Sequence, residues 1–92
     1  MENEENLQKI LEESKSVELK PVVSSNISAV GYNETNRLMK IAFKGKEGTF
    51  NTYLYEGVEP EIYANMLKAD SIGKYLSENV IRHKDKYKYI KL

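Results

Sequence analysis

The chain has 92 residues, 40% hydrophobic and 30% charged, with a formal net charge of zero. It has room for one domain around a modest core, and its charge balance argues against strong nonspecific nucleic-acid binding. It contains no cysteine, which excludes a disulfide framework and any thiolate metal site and leaves packing alone to hold the fold.

No apolar run approaches the roughly 18 residues that span a bilayer, and "MENEENLQ" lacks the basic start and apolar core of a signal peptide. A cytoplasmic chain without membrane contact is expected. Charge is unevenly spread. Residues 1–19 hold six glutamates against Lys9 and Lys15, a balance of −4, whereas residues 80–92 hold Arg82, Lys84, Lys86, Lys88 and Lys91 against Asp85, a balance of +4.

Leu7, Ile10 and Leu11 recur at spacings of three and four in "ENLQKILEES", an amphipathic helical pattern with acidic residues at its dipole-favoured end. Two turns are too few to persist undocked. Residues 1–19 are therefore read as an acidic N-terminal arm or short helix, preceding a domain at 20–92. Val17, Leu19, Pro21 and Val23 alternate as one face of a strand, with Pro21 favouring an edge. Ser24, Ser25 and Asn26 then make a polar turn.

"ISAVGYNETNRLMKIAFKGKEGTFNTYLYEG" predicts three strands of a meander, at 27–32, 37–44 and 49–55, joined by "NETN" and "GKEG". Met39, Ile41 and Phe43 face one way in the middle strand, and Lys40 and Lys44 the other. Pro60 is placed to open a helix with Ile62, Tyr63, Met66 and Leu67 on one stripe. Ser71 is a good N-cap for a second helix, whose apolar positions are Ile72, Tyr75, Leu76 and Val80. Gly73 in its first turn implies an irregular start or close backbone approach. "YKYIKL" reads as a final strand. The expected fold is α+β: a small antiparallel sheet, a β-meander plus a C-terminal strand, with two consecutive helices before the last strand and an N-terminal helical arm.

In order, "VSSNISAVGYN" at 23–33, "LMKIAFKG" at 38–45, "YLY" at 53–55, Val58 and Pro60 before a helix, "ADSIGKY" at 69–75 and "YKY" at 87–89 resemble the KTSC domain. That family occurs as a small stand-alone bacterial and phage protein and at the C-terminus of some lysyl-tRNA synthetases. The resemblance covers the region from 20 to 92, and the synthetase context implies RNA as a ligand. Two features depart from the family pattern: a longer "KEGTFNT" between Gly45 and Tyr53, and Glu59 inserted between Val58 and Pro60. Both imply altered turn geometry.

Catalytic chemistry lacks its parts. His83 is the lone histidine and sits in a basic run, without the partners a nucleophile pair or a zinc site needs. Glu59 and Glu61 flank a helix start, where they favour the dipole. A non-enzymatic chain with no cofactor and no metal is expected.

Ser24, Ser25 and Asn26 offer hydroxyls and turn amides to a phosphate, or else brace their own turn. Ser71, Gly73 and Lys74 offer a helix start, a close approach and a charge to an anion, or else make a plain N-cap.

The tyrosines pose the main question. Tyr53 and Tyr55 share a strand face with Asn51, whereas Leu54 shares the other with Phe50 and Thr52. Alternation makes the Leu54 face the core candidate and leaves the tyrosines on a wetter face or under the helices. Tyr87 and Tyr89 share a side with Lys91, opposite Ile90 and Leu92. If the two strands are neighbours, these four tyrosines with nearby lysines form a stacking platform for bases or for a partner's aromatic and arginine side chains, or else they are amphipathic filler under helices. Lys74 and the basic 82–91 tail, Arg82 and Lys88 included, are expected as further contacts. The expected function is a binding module for RNA or another phosphate-bearing ligand. The alternatives are an adaptor or inhibitor docking to a host protein through the acidic arm, and a small-nucleotide binder.

Overall fold

The computed structural model describes residues 4–92. It orders them as α1 (Glu4–Ser14), β1 (Lys20–Pro21), β2 (Ile27–Asn33), β3 (Leu38–Lys44), β4 (Phe50–Tyr55), α2 (Pro60–Lys68), α3 (Ile72–Leu76) and β5 (Tyr89–Lys91). A π-helical turn, Ser77–Ile81, continues α3. Of the acidic helix read from the sequence, Glu2 and the side chains of Glu4, Glu5 and Leu7 lie outside the described residues.

The strands form one antiparallel sheet in chain order, β1-β2-β3-β4-β5. The meander follows from its turns. The Asn33 side-chain oxygen accepts the amides of Thr35 (2.9 Å) and Asn36 (3.3 Å), and Arg37 takes φ 52° to reverse the chain. The longer second connection reverses in a tight turn at Lys46–Thr49, closed by the Thr49 amide on the Lys46 carbonyl at 3.0 Å, with Glu47 and Gly48 in the left-handed region at φ 55° and 78°.

Both faces of the sheet carry apolar side chains. On one, Ile27, Val30, Met39, Ile41 and Tyr55 pack with Val58, Met66, Leu76, Val80 and Tyr87 beneath α2, α3 and the π turn. On the other, Leu38 and Leu54 are sealed by Val17 and by Ile10 of α1. The main core therefore lies on the Tyr53/Tyr55 face, and the Leu54 face holds the smaller cluster. This corrects the face assignment made by alternation. Period-two spacing groups residues by face but does not say which face the helices choose. Among the described side chains of α1, Ile10 packs at the Leu54 end of the back face, and Phe50 at its far end is 60% exposed.

Three other expectations are corrected. The first strand is only Lys20–Pro21, with Val17 buried on the back face and Val23 fully exposed. Leu67 lies outside the buried stripe of α2, whose only fully buried side chain is Met66. Tyr87 precedes β5 instead of belonging to it and enters the main core.

Candidate functional site

Between the helix-side face of β3, β4 and β5 and the segment 80–87 lies a groove with a cavity volume of 390 Å³. Phe43, Asn51, Tyr53 and Tyr55 rise into it from β3 and β4, and Tyr89 from β5. Val80, Ile81, Lys84 and Tyr87 close the opposite wall.

Strand register explains the assembly. Phe43 pairs with Asn51, Ile41 with Tyr53, Met39 with Tyr55, and Tyr55 in turn with Tyr89, so one face receives all these side chains. Phe43 meets Tyr53 edge-on at 5.6 Å between centroids. Tyr89 lies tilted at 5.7 Å from Tyr53 and 6.1 Å from Tyr55.

The four tyrosines do different jobs within the groove. Tyr87 is 2% exposed, and its hydroxyl donates to Glu59 Oε2 at 2.6 Å. Lys86 Nζ approaches the other carboxylate oxygen of Glu59 at 3.0 Å and lies 5.2 Å from the Tyr87 ring centre. Glu59 thus ties the segment after the π turn to the start of α2, a role that its placement at a helix start did not reveal. The Tyr87 hydrogen bond, then the Glu59 backbone amide and Lys86, bring the Glu59 carboxyl down to about 2. Burial, joined by the bond to Glu59, pushes the Tyr87 phenol up.

Tyr55 is 5% exposed, yet its hydroxyl has no hydrogen-bond partner among the described residues. No side-chain oxygen or nitrogen is both buried and unpartnered among the described residues. The Tyr55 oxygen must therefore reach solvent, and the groove is the opening it lines. Burial, with Tyr53 and Tyr89 alongside, raises this phenol to about 12. It stays protonated at physiological pH and presents a donor to the groove. Tyr89 is 49% exposed and Tyr53 half-buried, and neither hydroxyl has a partner among the described residues.

Lys84 and Tyr89 are shared with a second, more open depression that also includes Lys88 and Ile90. Lys91 pairs across β4 with Tyr53. Basic groups therefore border the aromatic groove, whereas Arg82 is exposed and does not line it.

The remaining sequence candidates gather at another place. Ser24 Oγ accepts the amides of Asn26 (3.4 Å) and Ile27 (3.3 Å), and the Ser24 carbonyl accepts Lys44 Nζ at 2.7 Å. Ser25 is exposed. Ser71 Oγ accepts the Lys74 amide at 3.2 Å, and the nearest side chain to a Cβ added at Gly73 would be Asn26, at 3.7 Å. The structure brings the two polar clusters side by side, and these bonds brace the turn and cap α3. Lys74 is exposed. His83 is exposed as well, its Nε2 3.1 Å from the Glu78 carbonyl. Among the described residues no group of three potential metal ligands occurs, and no helix is long and apolar enough to cross a membrane.

Sequence reading missed Phe43, Asn51, Ile81 and Lys84 as lining residues. Phe43 and Asn51 were legible as neighbours of Tyr53 once the hairpin register was known. Ile81 and Lys84 depend on the path of the chain after the π turn, which has no sequence signature.

The Glu59 contact has a pH signature. Its carboxyl is held below the ordinary value of 4.5, at about 2, so the stability it contributes is fully present above pH 4.5 and is lost as pH falls toward 2. Against wild type, Glu59→Gln is expected to be less stable by about 1 kcal/mol at neutral pH, and the gap should close across that acid window. Urea unfolding of both proteins from pH 7 to pH 2 measures it.

The model of the family described as "KTSC domain" matches residues 23–87. A crystal structure of a KTSC domain protein from Yersinia pestis superposes with a TM-score of 0.68 at 32% identity, covering 84% of this chain and 99% of that one. A protein of Tsukamurella paurometabola is 36% identical over 59 residues, 64% of this chain and 82% of the relative. An uncharacterised protein of Stutzerimonas stutzeri is 29% identical over 55 residues, 60% of this chain and 72% of the relative.

Proposed function

The chain belongs to the KTSC domain family, and from that premise we propose that it is a non-enzymatic binding module whose aromatic groove contacts RNA. The observation that carries this reading is the meeting of Tyr53, Tyr55 and Tyr89 with Lys84 at one opening, with three phenols that have no hydrogen-bond partner among the described residues. Aromatic rings supply stacking surface to any base, and lysines at the rim supply the phosphate attraction that makes such binding salt-dependent. With a net charge of zero, no overall positive field adds to the local attraction at the rim.

Affinity for single-stranded RNA, measured by titration at increasing salt, is expected to fall steeply. Tyr89→Ala should weaken it by about 1–3 kcal/mol, as loss of one stacked base does. Lys84→Ala should lower the log–log salt slope by about one phosphate contact. Lys9→Ala, on the exposed side of α1, serves as the control. Absence of binding at low salt would overturn the reading, as would binding that both groove variants leave intact. Capture of a defined host protein that depends on α1, with no RNA affinity, would instead support the adaptor reading.

A further inference from the structure

We infer that the groove receives one unpaired nucleobase, its ring against Tyr89 and Tyr53, an acceptor atom on its edge taking the Tyr55 hydroxyl, and its phosphate at Lys84. This deepens the RNA reading and rests on it.

Size makes the first part of the case. A volume of 390 Å³ sits near the lower end of the roughly 300–1,000 Å³ typical of small-molecule pockets. It suits one nucleotide unit, and a run of stacked bases would have to extend beyond it. Burial makes the second part. A multi-base platform needs several rings presented side by side to solvent, but Tyr55 and Tyr87 are 5% and 2% exposed, and the Tyr87 hydroxyl is already bonded to Glu59. Of the tyrosines only Tyr89 and Tyr53 remain as stacking surfaces; they touch each other tilted at 48°, and Phe43 stands edge-on to Tyr53, so the three rings offer one face to a base and not a flat floor for several.

The Tyr55 hydroxyl makes the third part. A tyrosine this buried normally finds a partner for its hydroxyl. Here the partner is missing among the described residues and the oxygen opens onto the groove, so a water or a ligand must serve it. Every nucleobase carries edge acceptors, either ring nitrogens or carbonyl oxygens, that a neutral phenol can serve. Asn51, at the rim, adds an amide with both donor and acceptor for the same edge.

Calorimetric titration of four-nucleotide RNAs tests this, comparing a strand with every base present, strands with one base and three abasic sites, and a fully abasic strand. The single-base strands are expected to bind within about fivefold of the complete one, the margin that a choice of register supplies, and the abasic strand at least tenfold more weakly. Tyr55→Phe should weaken the single-base strands by about three- to tenfold and leave the abasic strand unchanged. It should leave unfolding stability at or above the wild-type value, because the hydroxyl it removes has no partner among the described residues. Affinity that climbs with each added base would overturn the single-base slot while sparing the RNA reading, and so would a silent Tyr55→Phe. Failure of every strand to bind at low salt would overturn the RNA reading itself.

Discussion

Tyr55→Ala is expected to lower the unfolding free energy by about 3–5 kcal/mol, the cost of removing a large aromatic side chain from a packed core. Tyr89→Ala should stay within about 1 kcal/mol of wild type. The two residues are direct partners across β4 and β5, so position in the sheet does not separate them. Burial does: Tyr55 is 5% exposed and packs with Met39, Ile41, Val58 and Tyr87, whereas Tyr89 is 49% exposed on a three-residue edge strand. Urea unfolding of both variants measures the contrast. Equal losses would mean that β5 contributes to the core as fully as β4 and that Tyr89 is not free to hold a ligand.

Gly31→Ala is expected to cost about 1–3 kcal/mol or more, through overpacking at a backbone crossing. A Cβ at Gly31 would meet the Glu18 carbonyl oxygen at 2.3 Å and Val17 Cγ1 at 3.0 Å. Backbone cannot yield as a flexible side chain does, so the segment 17–18 must lift from β2. Lifting Val17 would open its cluster with Leu38 and Leu54, against which Ile10 of α1 packs. The amides of α1 should therefore exchange with solvent faster in the variant than in wild type, alongside the loss measured by urea. Wild-type stability and unchanged exchange would show that α1 docks independently of this crossing.

These effects mark where sequence reasoning stopped. The meander, the two consecutive helices and the final strand were legible, because turn residues such as Asn33 and Gly48, the first-turn Pro60 of α2 and the Ser71 cap of α3 act locally. The core face was not. Leu54 and the Tyr53/Tyr55 pair each had a self-consistent alternation, and the choice between faces depended on where α2 and α3 pack, a tertiary fact. Tyr87 was misplaced for a related reason: its bond to Glu59 spans the loop that brings residues 82–88 back to the sheet. Glu59 looked like a helix-dipole residue, yet its carboxylate serves Tyr87 and Lys86, which lie far along the chain. Of the candidate site, the tyrosines were found by pattern. Lys84 and Ile81 entered only through the fold.

Amide chemical-shift mapping of the ¹⁵N-labelled protein during titration with single-stranded RNA at low salt tests the groove assignment most directly. The largest perturbations are expected at Phe43, Asn51, Tyr53, Ile81, Lys84 and Tyr89, with α1 and the Ser24–Asn26 and Ser71–Lys74 cluster unmoved. Perturbations centred on that cluster or on α1, or none at all, would contradict it.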